Sequence, residues 1–487
     1  MKILKDILYK VPIESVKGST ASEVNKIEFD SRLVSSQDIF VAISGVAADG
    51  HLYIDAAISK GASTIICEVL PSELAPEITY VQVKDTREAL AIMASNYYEN
   101  PSSNLKLVGV TGTNGKTTVS SLLYQMFKTL GFKVGLISTV TIKVDDKEFS
   151  TKLTTPDSLT INSYLKMMNE VGVEFCFMEV SSHGIAQHRT LGLDFAGGIF
   201  TNLSQDHLDY HKSFAEYRDV KKRFFDQLSK EAFTITNVDD KNGKYMLQNT
   251  KAKTYGYGVK NITDYKIKIL EKSFSGLKLN INGNEVWSRF IGDFNAYNLI
   301  AVYAAADLLG VEELENLQTL SQLKPVDGRY QHHISETGIH VIVDYAHTPD
   351  ALQNVLQTTN DIRTRNEELI TIVGCGGDRD KTKRPQMGKI AGNLSTKVIF
   401  TSDNPRTEDP EEIIADIEKG VEPQDVFKTL RITSRKQAIK TACSLAQKGD
   451  IILIAGKGHE TYQEVHGVRS DFDDLKIVKE LMAQFKK

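Results

Sequence analysis

The stretch Thr111-Gly112-Thr113-Asn114-Gly115-Lys116-Thr117-Thr118 packs small residues, one lysine and several hydroxyls into eight positions. Small residues let successive backbone N–H groups wrap a phosphate at a helix amino terminus. Lys116 would neutralise the outer phosphates and the Thr117 hydroxyl would ligate magnesium. The generic G-x-x-x-x-G-K spacing asks for glycine at position 110, where Val110 stands, so this loop is a variant of that motif. The plain alternative is a glycine turn met by chance. A mononucleotide site follows, but not its class, because motors, switches and ligases share the loop. A GTPase switch would carry an N-K-x-D guanine-reading motif, and none is found.

Other residues could join this chemistry. Glu179 ends the apolar run FCFMEV, and a carboxylate there suits magnesium, which prefers oxygen ligands in octahedral geometry. In the segment DHLDYH, Asp206 or Asp209 is the better magnesium ligand on chemistry alone, since a neutral imidazole is an unusual one. Taken singly, His183, His207 and His211 read as ordinary loop hydrogen-bonding residues. Arg406 of DNPR offers a planar fork for a carboxylate, on a loop stiffened by Pro405. The plain alternative there is a surface ion pair with Glu408 or Asp409. GCGGDR opens like a dinucleotide fingerprint and then fails it, because Arg379 stands in the place of the last glycine.

These loops need strands and helices to hold them. The apolar run LKLVGV, the glycine-rich loop and a stretch with Val119, Leu122, Leu123, Met126, Phe127 and Leu130 at helical spacing read as strand, loop and helix. FKVGLIS follows as another strand, so the unit is βαβ and the sheet parallel. FCFMEV, GGIFTNL and FTITNV extend it. A first seam lies where the helical TREALAIMASNYYEN meets Pro101-Ser102-Ser103-Asn104, and a second near PVDGRY, after which IHVIVDY, LITIVGC, KVIFTSD and DIILIAG read as strands of a second doubly wound sheet. The expected units are residues 1–100, 101–330 and 331–487, all α/β, with ligand groups on loops at the carboxyl ends of the strands. At 487 residues the chain has room for several cores. With 58 Lys plus Arg against 63 Asp plus Glu, a broad nucleic-acid surface is not expected. The four cysteines form no C-x-x-C pair, which fits a reducing cytosol rather than a disulfide or zinc framework. Neither a signal peptide nor a membrane span is read.

GVTGTNGKTT, MEVSSHGIAQHR, TNLSQDHLDYH and GDFNAYNLIA occur in this order, joined by DSR at 30–32, TTPD at 154–157, VDYAHTPDAL, GCGGDRDKTKRP, DNPRTEDP and GKGHE. Together they resemble the Mur ligases, ATP-dependent amino-acid-adding enzymes of peptidoglycan synthesis. Within that family the likeness is greatest to members that add the third peptide residue to UDP-MurNAc-L-Ala-D-Glu. The resemblance implies an amino-terminal UDP-binding α/β domain, a central P-loop ATPase with a mainly parallel sheet, and a carboxy-terminal Rossmann-like domain that binds the amino acid. It implies ATP and Mg2+, small-molecule substrates only, no nucleic acid, and a cytoplasmic monomer.

The resemblance also assigns roles. Gly112, Thr113, Asn114, Gly115, Lys116, Thr117 and Thr118 would hold ATP, with Asn295 near the adenine and Arg329, Asp344 and His347 closing over the nucleotide. The plain reading of Asn295 and Asn298 is helix capping. Lys116, Glu179, His207 and Lys221 would be catalytic, with Thr117, Glu179, His207 and Lys221 around the metal. Lys221 resembles the lysine these ligases carry as a carbamate formed from CO2, which would turn a cation into a metal-binding anion; Val220 stands before it where most members have alanine. The plain reading is a solvated lysine in the run KKR. Ser31, His51, Thr154, Thr155, Ser182, Gln187 and Arg189 would bind the UDP-MurNAc-dipeptide, though Thr154 and Thr155 read nearly as well as turn hydroxyls before Pro156. DNPR is the form found in diaminopimelate-adding members, so Arg379, Asp403, Asn404, Pro405, Arg406, Gly456 and Glu460 would hold meso-diaminopimelate. The rival readings are L-lysine as acceptor, folylpolyglutamate synthetase, and a catalytically silent relative serving as a binding partner.

Overall fold

The computed structural model describes residues 2–45, 48–207 and 210–487; Asp209, one of the two carboxylates weighed above, lies outside them. Three large sheets succeed one another along the chain, beside two two-stranded ones among the described residues. The first orders its strands Ile13–Lys17, Thr79–Val83, Ala62–Cys67, Asp38–Val41 and Ile27–Glu28, all parallel except the first pair. The second centres on Lys106–Thr111, flanked by Phe175–Glu179 and Gly197–Phe200, and stays parallel from Val134–Ile137 across to Tyr265–Ser273. Both neighbours of the central strand come from later in the chain. Their carboxyl ends therefore meet beside the end of Lys106–Thr111, which is where an open α/β sheet puts its ligand. The third sheet runs parallel through His340–Asp344, Ile451–Ala455, Leu369–Val373, Lys397–Phe400 and Thr429–Arg431, with Gln331–Ile334 added antiparallel at its edge. The result is the expected α/β class with mainly parallel sheets.

The central sheet does not stop at its parallel strands. Gly276–Ile281 and Asn284–Ser288 add an antiparallel meander beyond Tyr265–Ser273. The meander buries Leu277, Leu279 and Ile281 in the same core as the face of helix Lys116–Thr129 carrying Val119, Leu122, Leu123, Met126 and Phe127. Helix Asp293–Leu308 is apolar nearly all round and lies within that core. Its buried Asn295 and Asn298 do not cap it, because the residue before the helix is Gly292 and Asn295 Nδ2 donates instead to the Ile291 carbonyl at 2.9 Å. All four cysteines are buried thiols.

Helix Phe214–Asp226 carries Lys221 inward. Ser213 caps it, its hydroxyl accepting from the Glu216 N–H at 3.1 Å, while the Glu216 carboxylate accepts from the Lys212 N–H at 2.7 Å. This is close to a capping box and satisfies amides that the first turn leaves open. Ser213→Ala is expected to lower unfolding free energy by about 1 kcal/mol in urea titration; an unchanged midpoint would mean that solvent caps the helix as well.

Candidate active site

The loop between strand Lys106–Thr111 and helix Lys116–Thr129 has its two glycines in the left-handed half of backbone space. Gly112 sits at φ 152 and Gly115 at φ 87. A Cβ on Gly112 would fall 1.9 Å from Thr201 Oγ1, and one on Gly115 would fall 2.7 Å from Asn298 Oδ1, so neither position admits a side chain. Neighbouring strand ends shape the loop further. Asn114 N–H donates to Asn202 Oδ1 at 2.9 Å, the Asn114 carbonyl accepts from Thr201 Oγ1 at 2.6 Å, and the Thr113 hydroxyl lies 3.1 Å from the Tyr217 hydroxyl.

Lys116 turns back over this loop, donating to the carbonyls of Gly112 at 2.9 Å and Thr113 at 2.7 Å. Burial pulls its pKa down, with Glu179 and Asp206 opposing and Arg329 adding to the shift. Lys221, only 1% exposed, donates to the same Gly112 carbonyl at 2.8 Å and lies 4.8 Å from the Tyr217 ring centre. It is not the solvated lysine of a basic run. Burial, then the Lys116 charge, hold it well below the ordinary lysine range. Both cations thus converge on one carbonyl at the phosphate loop.

Glu179 is wholly buried at the end of its strand. Its carboxylate accepts from Thr117 Oγ1 at 3.0 Å, from the Thr139 N–H at 2.6 Å and from the Thr139 hydroxyl at 3.2 Å. Among the described residues no three His, Cys, Asp or Glu side chains gather as a metal cage. Magnesium held by nucleotide phosphates needs only one or two protein oxygens besides water, and the adjoining Thr117 and Glu179 fit that need. His207, at φ 55, stands in a ring cluster with His183 at 4.9 Å and Tyr217 at 6.1 Å between centroids. Its Nε2 is 3.5 Å from Asp206 Oδ2. Burial, outweighing Asp206 and aided by His183, Lys116 and Lys221, keeps the imidazole neutral, the form that can ligate a metal.

The seam residue Arg329 and the third region's Asp350 reach into this site. Arg329 donates to Thr117 Oγ1 at 3.0 Å and stacks its guanidinium 4.6 Å from the Tyr345 ring centre, and Asp350 accepts from the Asn114 amide at 2.9 Å. His347 is anchored by Nδ1, 2.9 Å from the Tyr345 carbonyl, and burial lowers its pKa to about 4. Asp344 accepts from the Tyr330 N–H at 2.6 Å, while burial raises its pKa to about 6 against the pull of Arg329. The native state therefore holds this proton more tightly than the unfolded chain does. The contribution of Asp344 to stability is full below about pH 4, is lost as pH rises to about 6, and is level above. Asp344→Asn escapes that loss, so its unfolding free energy relative to wild type is expected to rise by roughly 2 kcal/mol between pH 4 and pH 6. A difference that does not change with pH would place an ionised carboxylate in the fold throughout that range.

The dipeptide candidates divide. Thr155 is buried and bridges the Glu179 carbonyl, to which it donates at 2.8 Å, and the Ser181 N–H, from which it accepts at 2.9 Å. Thr154 accepts from the Thr139 hydroxyl at 3.0 Å. Arg189 donates to the Thr155 carbonyl and to Gln187 Oε1, each at 2.6 Å, and the buried Ser182 hydroxyl has no hydrogen-bond partner among the described residues. These five form one wall beside Glu179. Ser31 and His51 belong to the first sheet's loops. His51 already uses both ring nitrogens, Nδ1 at 2.8 Å from Asp49 Oδ1 and Nε2 accepting from the Glu68 N–H at 2.9 Å. It holds its own loop in shape.

The acceptor candidates gather at the carboxyl ends of the third sheet. Asn404 donates to Glu460 Oε2 at 2.8 Å, and the fully buried Lys457 donates to Asn404 Oδ1 at 2.9 Å and Glu460 Oε2 at 3.1 Å. Burial first, then Asp403, raise the Glu460 pKa. Gly456, at φ 115, donates to the Asp344 carbonyl at 3.0 Å and so links this group to the nucleotide side. Arg406 follows the buried Pro405 and is half-buried, while Arg379 is exposed. The surface-pair alternative for Arg406 loses its partners, because Glu408 is taken by Arg384 and Lys381 and Asp409 caps helix Pro410–Glu418.

Sequence reading passes over Thr139, Thr201, Asn202, Asp350 and Lys457. Thr139, Thr201 and Asn202 follow strands Val134–Ile137 and Gly197–Phe200, so the rule that ligands sit past strand carboxyl ends could have found them. Lys457 follows strand Ile451–Ala455 and falls under the same rule; Asp350 carries no such signal, because its contact joins distant parts of the chain.

Three family models match the chain: the Mur ligase family catalytic domain over residues 23–98, the Mur ligase middle domain over 110–306, and the Mur ligase glutamate ligase domain over 328–458. A Cytophaga hutchinsonii protein named UDP-N-acetylmuramoyl-L-alanyl-D-glutamate--2,6-diaminopimelate ligase is 52% identical over 98% of this chain and 99% of its own. Proteins of that name from Bacteroides fragilis, 52% identical, and Clostridium tetani, 40% identical, each match over 99% of both chains. A solved structure of a ligase of that name superposes with a TM-score of 0.69 at 32% identity over 100% of this chain and 99% of its own. The MurF ligase of Thermotoga maritima in complex with ADP shares the fold, with a TM-score of 0.62 at 19% identity over 95% of this chain and 97% of its own. With family models matched along its length and near-full-length relatives at 52% identity, the chain belongs to the Mur ligase family.

Proposed function

We propose that this protein is an ATP-dependent amide ligase that adds meso-diaminopimelate to UDP-MurNAc-L-Ala-D-Glu in peptidoglycan precursor synthesis. The observation that carries the reading is the contact of Arg329, at the seam between the second and third regions, and of Asp350 in the third with the phosphate loop, while Arg406 and Glu460 lie past strand ends of that third region. On this reading phosphate and acceptor sites would open onto one cleft, as transfer from an activated carboxylate to an amine requires. The reading gives 1–100 to the nucleotide sugar, 101–330 to ATP and 331–487 to the acceptor. The reading takes the protein as a monomer. Its nucleotide substrates suit the cytoplasm; among the described residues no helix is long and apolar enough to cross a membrane.

In this mechanism the dipeptide carboxylate attacks the γ-phosphorus of ATP and ADP leaves, giving an acyl phosphate. The acceptor amine then attacks the acyl carbonyl, loses a proton, and phosphate departs. Lys116 exchanges its two carbonyl partners for phosphate oxygens and neutralises their charge. Thr117, Glu179 and the neutral His207 would hold magnesium, which would supply further neutralisation. Lys221 reaches the site already stripped of solvent. A buried, readily deprotonated amine is the form that adds CO2, and the carbamate would offer an anion for a cation where a free ammonium would crowd Lys116. Arg189, Thr154 and Thr155 would orient the dipeptide arm, and Arg329 and His347 exclude water from the acyl phosphate.

The test is phosphate release by purified protein with UDP-MurNAc-L-Ala-D-Glu and ATP, comparing meso-diaminopimelate, L-lysine and no amino acid. Release with diaminopimelate alone supports the reading. Release with lysine keeps the ligase and overturns the acceptor, and none with either overturns both.

A further inference from the structure

Arg406 does not hold its place by itself. It sits at φ 52, and Asp378 in the facing loop sits at φ 53, both in the left-handed region that a side chain with a Cβ disfavours. Such backbone persists only where its surroundings over-determine it.

For the Arg406 backbone the 464–466 segment supplies that determination, the Arg406 N–H donating to the Glu464 carbonyl at 3.2 Å and its carbonyl accepting from the His466 N–H at 2.6 Å; for Asp378 and the Arg406 guanidinium one peptide plane does so. The carbonyl of Gly377 accepts from Arg406 Nη1 at 2.7 Å, and the N–H on the other side of the same planar group, that of Asp378, donates to Glu408 Oε1 at 2.6 Å. Glu408 is itself anchored from beneath. Its Oε1 also accepts from Arg384 at 2.9 Å, and its Oε2 pairs with Lys381 at 3.0 Å. Arg384 is 1% exposed and reaches on to Asp416 at 3.0 Å. Thr407 closes the second tie, donating from its hydroxyl to Asp378 Oδ1 at 2.6 Å and from its N–H to Oδ2 at 3.2 Å. The 374–380 and 403–410 loops are laced together, and the guanidinium hangs from the lacing.

We infer that Glu408 is a positioning residue for the acceptor site: by fixing the Gly377–Asp378 peptide it aims the Arg406 guanidinium at the acceptor's distal carboxylate and so sets preference for a diamino dicarboxylic acid over a simple diamine acid. Without that carboxylate the peptide plane can rotate, Asp378 can leave its strained conformation, and the Gly377 carbonyl turns away from Arg406. The inference rests on the acceptor reading proposed above.

The experiment measures initial rates of phosphate release by the full chain as wild type, Arg406→Ala, Glu408→Gln, Thr407→Val and the Arg406→Ala/Glu408→Gln double variant. Glu408→Gln is expected to raise KM for meso-diaminopimelate about tenfold and to lower the diaminopimelate-to-lysine ratio of kcat/KM by a similar factor. Its kcat and its KM for ATP should stay within about twofold of wild type. Thr407→Val should move the same two quantities in the same direction, about threefold. In the double variant Glu408→Gln should add nothing to Arg406→Ala, since it acts through that residue. Should Glu408→Gln fail to fold, Thr407→Val and its double with Arg406→Ala decide. An unchanged diaminopimelate KM, additive losses, or equal losses for ATP and acceptor would overturn the inference while wild-type activity leaves the acceptor reading standing. Wild-type protein that releases no phosphate with diaminopimelate overturns the reading and the inference with it.

Discussion

Lys221→Ala is expected to cut turnover about 10²–10³-fold while nucleotide binding stays near normal. The lysine is buried, shares the Gly112 carbonyl with Lys116, and is held well below its ordinary pKa by burial and by that neighbour. Two buried cations on one carbonyl repel, so the arrangement favours whatever removes one charge. Deprotonation does so, and carbamate formation reverses the sign. Short carboxylates such as formate or acetate, added to Lys221→Ala, should restore part of the rate if an anion acts there. Full activity in the variant would remove Lys221 from the mechanism, and a loss that no carboxylate repairs would point to the cavity left beside Tyr217 instead.

Arg406→Ala should raise the apparent KM for meso-diaminopimelate by about 10²-fold, with KM for ATP changed little. The guanidinium stands on the 403–410 loop while the phosphate loop lies on the central sheet, so its loss should be felt by the acceptor alone. A charge-assisted, two-pronged contact to a carboxylate is among the stronger polar interactions a site can offer. L-Lysine has no distal carboxylate for the fork to hold, and its use should be nearly indifferent to the change. Parallel losses for ATP and acceptor would assign Arg406 to the framework rather than the site.

Much of the site is legible because its signals are local. Gly112, Gly115 and Lys116 announce a phosphate loop through size and charge within eight residues, and the apolar runs on either side name their own strand and helix. Glu179 is legible for the same reason, as a carboxylate closing a buried strand. DNPR reads as a carboxylate clamp from the chemistry of its arginine. The antiparallel meander at Gly276–Ile281 and Asn284–Ser288 is less readable, since short alternating strands give a weak pattern and their membership in the central sheet depends on pairing rather than on composition.

What the sequence determined by itself is the inventory: a nucleotide loop, carboxylates and lysines of the right kinds, α/β units in order, and the motif series that marks the family. What the tertiary structure alone decided is which of them touch. A run such as KKR gives no sign that Lys221 is buried 2.8 Å from the Gly112 carbonyl, 109 positions away in the chain. Arg329 on Thr117 and Asp350 on Asn114 cross 212 and 236 positions. His51 reads as a ligand and proves to be engaged at both ring nitrogens. Glu408 reads as a surface partner for Arg406 and instead grips the far side of the peptide that Arg406 uses. Residue type and local spacing specify what a group can do, because propensity and patterning act over a turn or a strand. Burial, charge pairing and proton affinity depend on neighbours the chain brings together only when it folds, and those neighbours set the chemistry here.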